Sequence, residues 1–257
     1  MKLVILAGGY GSRLKEITSI LPKPMVEIGE KPILWHIMKI YSQYGINEFI
    51  ICLGYKGNII KDYFLNYESI NQDFTIDLCS KDIKFHSKHN ENNWKVTLVD
   101  TGLDTLKGAR LKKIEEYLED DVNLLTYGDG LADIDINELI KQHTNSNKII
   151  TISGVRPLSR FGELKIEGDN LVSFEEKAQV STGLINGGYM VFNKELLNYL
   201  INDENCDLEY GVFEKISKEG KMGVYKHKGQ WACIDTERDL QNLNKMWKEG
   251  KAFWKKW

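Results

Sequence analysis

Two sets of residues in this chain are arranged for work on anions. The first is the run Gly8-Gly9-Tyr10-Gly11-Ser12-Arg13, which directly follows the apolar stretch Leu3-Val4-Ile5-Leu6-Ala7. Glycines in such a place let backbone N–H groups converge on an anion with no Cβ in the way. The loop is not a dinucleotide fingerprint, because Leu14 stands where the third glycine belongs, and it lacks the Gly-Lys-Ser/Thr of a P-loop. It carries Arg13 at its end instead, either for an anion or as a solvated arginine at a tight turn. A second cation, Lys23, lies between Pro22 and Pro24. The prolines stiffen the backbone on both sides of a flexible ammonium. A lysine held so suits a phosphate oxygen; the competing reading is a solvated turn lysine.

The second set is a pair of aspartates. Asp129 sits between Gly128 and Gly130, just after the apolar pattern of residues 124–127. That is the carboxyl end of a buried strand, where open parallel sheets bind ligands. Asp235 follows Ala232-Cys233-Ile234 and precedes a helical pattern. Two carboxylates and a triphosphate make a Mg²⁺ site, since Mg²⁺ takes few protein ligands plus phosphate oxygens. Asp235 also reads as a helix N-cap, and Asp129 as a turn residue. Asp133 and Asp135 read as caps of the helix that follows them.

The elements that must hold these residues alternate along the first 155 residues. Apolar runs at 3–7, 49–53, 96–99, 122–127 and 148–155 read as strands buried in a parallel sheet. Helical patterns run from Pro32 to Gly45 and over 59–67, 109–118 and 136–144. Residues 68–94 break the rhythm and read as an insertion or flap, with β-like pieces at 74–76 and 83–86. The order predicts a right-handed, doubly wound, mainly parallel α/β sheet. The second half, 156–257, is mixed: a hairpin turning at Gly168-Asp169-Asn170, a strand at 188–192, and helices over 194–201, 210–218 and 237–249. There is no repeat or linker, so one catalytic unit spanning 1–257 is the simplest organisation, with a nucleotide-binding half at 1–155.

Composition removes other classes. A net charge of −3 argues against a general nucleic-acid binder. No apolar run approaches the ~20 residues that span a bilayer, and the first apolar stretch ends too soon for a signal peptide. The four cysteines are dispersed with no C-x-x-C pair, as in a reducing cytoplasm. His86-x-x-His89 lacks a third ligand nearby. His36, beside Trp35 in a helical pattern, reads as packed or exposed rather than catalytic. Three aromatics within 253–257 imply docking onto the domain or a subunit contact.

Taken together, the chain resembles the glucose-1-phosphate cytidylyltransferases, a branch of the sugar-phosphate nucleotidylyltransferase family. The likeness runs nearly end to end through LAGGYGSRL, PKPMVEIGEKPILWHIMKIYS, FIICLGYKG, VTLVDTG, LLTYGDGLADID, RFGELKI, SFEEK, INGGYMVF and IDTERD. It implies that Leu6, Ala7, Gly8, Gly9, Tyr10 and Gly11 hold a nucleotide, that Ser12 and Arg13 meet its triphosphate, and that Lys23 touches the reacting phosphates. It implies further nucleotide contacts at Asp104, Ala109, Arg110 and Gly128, with 104–110 near the cytosine. Glu176, Lys177, Asn186 and Gly187 match sugar-phosphate positions, and Asp129 and Asp235 match the holders of Mg²⁺. CTP and a sugar 1-phosphate are the implied partners, within a homo-oligomer, a hexamer, that serves carbohydrate and O-antigen synthesis, and 156–257 is the implied sugar-phosphate-binding and oligomerisation half. The chain departs from the pattern at Ala178 and at Trp231-Ala232-Cys233, which bear on the sugar, and at Asp104-Thr105 and Ala109, which bear on the base.

The implied chemistry is transfer of CMP from CTP to a sugar phosphate by in-line attack on the α-phosphorus. A phosphate monoester is already anionic at pH 7 and needs no general base. Repulsion is the difficulty: the substrates bring about −6 together, against about +5 from Arg13, Lys23, Lys177 and one Mg²⁺. The rivals are a transferase using UTP, dTTP or another phosphorylated acceptor, a non-catalytic sugar-nucleotide-binding module, and a nicotinamide-dependent enzyme, the last weakened by Leu14.

Overall fold

An apolar run without polar alternation cannot lie on a sheet with one wet face. In the computed structural model, which describes residues 1–91, 93–119, 121–157, 163–175 and 183–257, Leu3–Leu6 is strand β1 inside a seven-stranded sheet. The other strands are β2 (Glu48–Leu53), β3 (Lys95–Asp100), β4 (Val122–Tyr127), β5 (Ile150–Val155), β6 (Ile185–Asn193) and β7 (Met222–Lys226). Their order across the sheet is β7-β5-β6-β4-β1-β2-β3. β1 pairs in parallel with β2 and β4, so Ile5 lies between Ile51 and Thr126.

Alternate side chains of each strand enter two cores, one per face of the sheet. Leu3, Ile5, Ile51, Leu124 and Val191 pack with α1 (Ile33–Ser42), with Ile60 of α2 (Gly57–Leu65) and with the C-terminal segment. Val4, Leu6, Cys52, Leu125 and Met190 pack on the other face against α3 (Lys107–Lys113) and the turns near Leu197 and Leu208. Two further helices, α4 (Ile136–Thr144) and α5 (Glu237–Lys248), join the first core through Leu139 and Leu243. The anticipated elements are present with shifts of a few residues. The third helix starts at Lys107 and gives way to a 3₁₀ turn over Glu115–Tyr117, and the 194–201 segment is a 3₁₀ turn over Lys194–Tyr199. In the 210–218 segment, Tyr210 and Gly211 leave helical geometry before a short helix at Glu214–Lys218.

The sheet differs from a parallel β–α alternation at one place. β5 runs in the same direction as β4, as its position in the first half implied, but it does not pair with it. β6 lies between them, antiparallel to both. A strand period reports which face is buried, not which strand fills the neighbouring slot. β7, parallel to β5, was not anticipated: it is an edge strand with Gly223 inside and Val224 exposed, so it lacks the apolar run of a central strand. Asp135 caps α4 by accepting from the Glu138 N–H at 3.1 Å. Asp133 does not cap it. Its carboxylate accepts from the Gln230 N–H at 2.7 Å and faces His227 at 2.9 Å, tying the 227–230 turn to the strand end. No helix among the described residues is long and apolar enough to cross a membrane.

Candidate active site

The glycine loop leaves the sheet where β1 ends. The Ala7 N–H still bonds the Cys52 carbonyl at 3.0 Å, and Gly11 then turns the chain with φ +63°. A Cβ on Gly11 would stand 2.8 Å from Thr18 Cγ2 and 3.2 Å from Lys23 Cβ, so both the backbone angle and the space call for glycine. The Leu14 N–H closes a 3₁₀ turn on the Gly11 carbonyl at 3.0 Å, which presents Ser12 and Arg13 outward. Lys23 opens another such turn, Lys23–Met25, after Pro22 in extended geometry.

The two aspartates are joined by a short antiparallel ladder. Gly130–Ala132 pairs with Trp231–Cys233, and the Ile234 N–H bonds the Asp129 carbonyl at 3.1 Å. This ladder carries Asp235 to the mouth of the glycine loop. Its two readings are settled by α5, whose N-cap is Thr236 in a capping box with Asp239. The Asp235 carboxylate is turned to the cations instead.

Lys23 Nζ lies 2.7 Å from Asp129 Oδ2 and 2.9 Å from Asp235 Oδ1, and Arg13 Nη1 lies 2.7 Å from Asp235 Oδ2. Burial disfavours the Lys23 charge, yet the two carboxylates outweigh it and its pKa stands above the ordinary lysine value. Burial likewise opposes ionisation of Asp235, but Lys23 and Arg13 prevail and hold its pKa below the usual carboxylate range. One cationic nitrogen already bridges two hard oxygen donors from different segments. Asp129 and Asp235 therefore form a donor set that fits a divalent cation of the Mg²⁺ type, with phosphate oxygens to complete its shell.

These groups stand in a cavity of about 520 Å³, walled by residues 6–13, Lys23, Pro24, residues 103–107, Arg110, Tyr127, Gly128, Asp129 and Asp235. That is ample for a nucleotide. Also on the wall, Tyr10 donates its hydroxyl to Asp104 Oδ1 at 2.5 Å and packs its ring against Tyr55, 5.2 Å between centroids. The loop residues Leu6 to Arg13, with Lys23, Asp104, Arg110, Gly128, Asp129 and Asp235, are thus gathered in one place.

Other expected residues are not. Ala109 is buried in the second core, and its N–H bonds the Cys206 carbonyl at 3.0 Å. Asn186 donates to the Tyr127 hydroxyl at 3.2 Å and accepts from the Gly188 N–H at 2.9 Å, one residue behind the cavity wall. The Gly187 carbonyl accepts from Trp231 Nε1 at 2.8 Å. Glu176 and Lys177 lie outside the described residues. Among the wall residues, Tyr127 escaped the sequence reading as a site residue. It donates to Glu209 at 2.6 Å, and Lys107, from the segment expected near the cytosine, pairs with Glu209 and lies over the Tyr127 ring. The available signal was position alone: Tyr127 is the last residue of β4, next to Gly128. The His86 and His89 pair serves local contacts, to Thr75 at 2.8 Å and to Glu68 at 3.0 Å. Among the described residues no group of three or more His, Cys, Asp or Glu side chains is arranged for a metal.

A glycine loop, two cations and two carboxylates at the end of a mostly parallel sheet define a protein that handles phosphorylated nucleotides. The chain belongs to the nucleotidyl transferase family, whose model matches residues 2–250. It is 46% identical to the glucose-1-phosphate cytidylyltransferase of Salmonella typhi over the whole of both chains. It is 30% identical to the D-glycero-alpha-D-manno-heptose 1-phosphate guanylyltransferase of Campylobacter jejuni, covering 85% of this chain and 87% of that one. Among solved structures it resembles HddC from Yersinia pseudotuberculosis, with a TM-score of 0.70, 26% identity, and coverage of 96% of this chain and 99% of that chain.

Proposed function

We propose that this protein transfers CMP from CTP to α-D-glucose 1-phosphate, forming CDP-glucose and pyrophosphate. The observation that carries the reading is the Arg13–Asp235–Lys23–Asp129 cluster at the mouth of the glycine-loop cavity. A phosphate oxygen of the sugar phosphate attacks the α-phosphorus, the bond to the bridging α,β-oxygen breaks, and pyrophosphate leaves with that electron pair. The nucleophile is anionic at neutral pH, so the site needs no base. Arg13 and Lys23 offset the charge of the triphosphate, and the N–H groups of the loop fix its orientation. Asp129 and Asp235 would hold Mg²⁺, which supplies further charge neutralisation at the phosphates. Catalysis then consists of positioning and electrostatic stabilisation.

The cytidylyl and glucose assignments rest on the full-length likeness to the Salmonella typhi enzyme. The test is pyrophosphate release with Mg²⁺ and glucose 1-phosphate, offering CTP, UTP, dTTP, ATP and GTP in turn, beside Lys23→Ala. Fast release with CTP that is lost in the variant supports the reading. Release with UTP or dTTP instead, or with none, overturns it.

The chain works as one catalytic unit in the cytoplasm, as a homo-oligomer. The hairpin of Phe74–Ile76 and Ile83–Phe85 supports assembly, since it projects apolar side chains into solvent, with Leu78 73% exposed and Ile83 51%. Light scattering is expected to find an oligomer, a hexamer, that Leu78→Asp with Ile83→Asp dissociates. A native chain that stays monomeric at micromolar concentration would remove this part of the proposal.

A further inference from the structure

Arg110, expected as a nucleotide contact, stands in the cavity wall, and the hydrogen bonds of its guanidinium go to the chain around it. The residue is 4% exposed, on α3. Its Nη1 donates to the carbonyls of Leu53 at 2.9 Å and Gly102 at 2.7 Å, and to Thr101 Oγ1 at 2.7 Å. Its Nη2 donates to the carbonyls of Gly8 at 3.2 Å and Leu103 at 3.1 Å. These acceptors come from three separate pieces of chain: the glycine loop, the last residue of β2, and the segment that follows β3. None of them is a carboxylate, so the hydrogen bonds of this buried cation go to carbonyl and hydroxyl dipoles.

The glycines around it agree. A Cβ on Gly8 would overlap the guanidinium, 2.5 Å from Cζ, and one on Gly54 would stand 2.7 Å from Nη1. Gly9, by contrast, has open space around its Cβ position.

We propose that Arg110 is a positioning residue whose guanidinium fork ties the glycine loop to the ends of β2 and β3, and that Gly8 is glycine to admit that fork. This deepens the nucleotide reading of the cavity and rests on it. A lysine would keep the charge, but its ammonium is a single point and cannot span five acceptors on three segments. The shape of the loop, and with it the fit of the triphosphate, follows from the fork rather than from the charge.

The experiment compares Arg110→Lys, Gly8→Ala and the double variant with the native enzyme. Hydrogen exchange of the protein without nucleotide comes first. Arg110→Lys is expected to speed exchange in residues 7–12 and 101–104 by about tenfold or more, while 150–155 stay protected. In Arg110→Lys, although the charge is kept, the KM for CTP should rise by about tenfold with the KM for glucose 1-phosphate unchanged. Gly8→Ala should loosen the loop strongly when made in the native chain. Added to Arg110→Lys it should loosen the loop much less, because the overlap with the fork is then relieved. Native-like loop exchange in Arg110→Lys, strictly additive effects, or an equal rise of both KM values would overturn the proposal. If Arg110→Lys folds poorly, Gly8→Ala alone decides, and an unchanged loop there overturns it. A loop that loosens in a protein that binds no CTP would keep the fork and sink the cytidylyl reading, since exchange needs no nucleotide.

Discussion

Lys23 occupies the point between two carboxylates that a divalent cation would also take. Its ammonium, at 2.7 and 2.9 Å from Asp129 and Asp235, neutralises a half-buried acidic pair. Like charges this close repel unless a cation stands between them. Removing it leaves that pair to be met by a metal. Lys23→Ala is therefore expected to bind Mn²⁺ without nucleotide about tenfold more tightly than the native chain, by electron paramagnetic resonance, while pyrophosphate release falls by about 10³-fold or more. Equal Mn²⁺ affinity in both would show that the ammonium does not compete for the site. Gly11 makes a separate prediction at this scale. Its φ of +63° and the nearby Thr18 methyl make Gly11→Ala cost about 1–3 kcal/mol in urea unfolding.

The start of α5 separates an aspartate that belongs to the helix cap from one that faces two cations, within a few residues. Thr236 and Asp239 form the capping box, with the Asp239 N–H on Thr236 Oγ1 at 3.2 Å and Asp239 Oδ2 accepting from the Thr236 N–H at 2.8 Å. Asp235, next in the chain, points to Lys23 and Arg13. Thr236→Ala should thus cost about 1 kcal/mol of stability and leave kcat within a few-fold of native. Asp235→Asn should keep the melting temperature close to native and lose most of the activity. Thermal melts beside steady-state rates test both, and a reversed pattern would return Asp235 to the role of cap. The Asp235-Thr236 pair before a helical pattern made a cap visible in the sequence. It did not say which of the two residues performed it, because a cap is a local backbone event while the partners of Asp235 lie across the fold.

On the scale of the whole molecule, the C-terminal aromatics close the first core. Trp254 is fully buried, stacks with Trp247 at 6.4 Å, and donates Nε1–H to His36 Nδ1 at 3.3 Å. His36 in turn directs Nε2 to the Ile28 carbonyl at 2.9 Å, which requires the neutral ring with its proton on Nε2. Trp254→Ala should cost about 3–5 kcal/mol, with a melting temperature lower by about 10 °C. Burial, helped by Lys255 and Lys31, pulls the His36 pKa down to about 4. Its folded value lies below the unfolded one, so its contribution is whole above pH 6.5 and is lost as the pH falls towards 4. The loss approaches about 3 kcal/mol by the lower end. Urea unfolding at pH 7, 6, 5 and 4.5 should trace that decline, and His36→Gln should flatten it.

The sequence by itself determined the strands that are covered on both faces, the loop after the first of them, and the residue types able to meet a triphosphate. These are local matters: an unbroken apolar run, a glycine where the chain must turn, a lysine stiffened by two prolines. Only the tertiary structure decided how distant pieces meet. Lys23 reaches Asp129 and Asp235 across 106 and 212 residues of chain. Arg110 gives its Nη donors to backbone carbonyls and the Thr101 hydroxyl, and Asp133 leaves its helix for the 227–230 turn. β6 enters between β4 and β5. Periodicity records which face of an element is buried, whereas strand neighbours and ion pairs depend on which distant surfaces pack together, and that is settled only when the whole chain is folded.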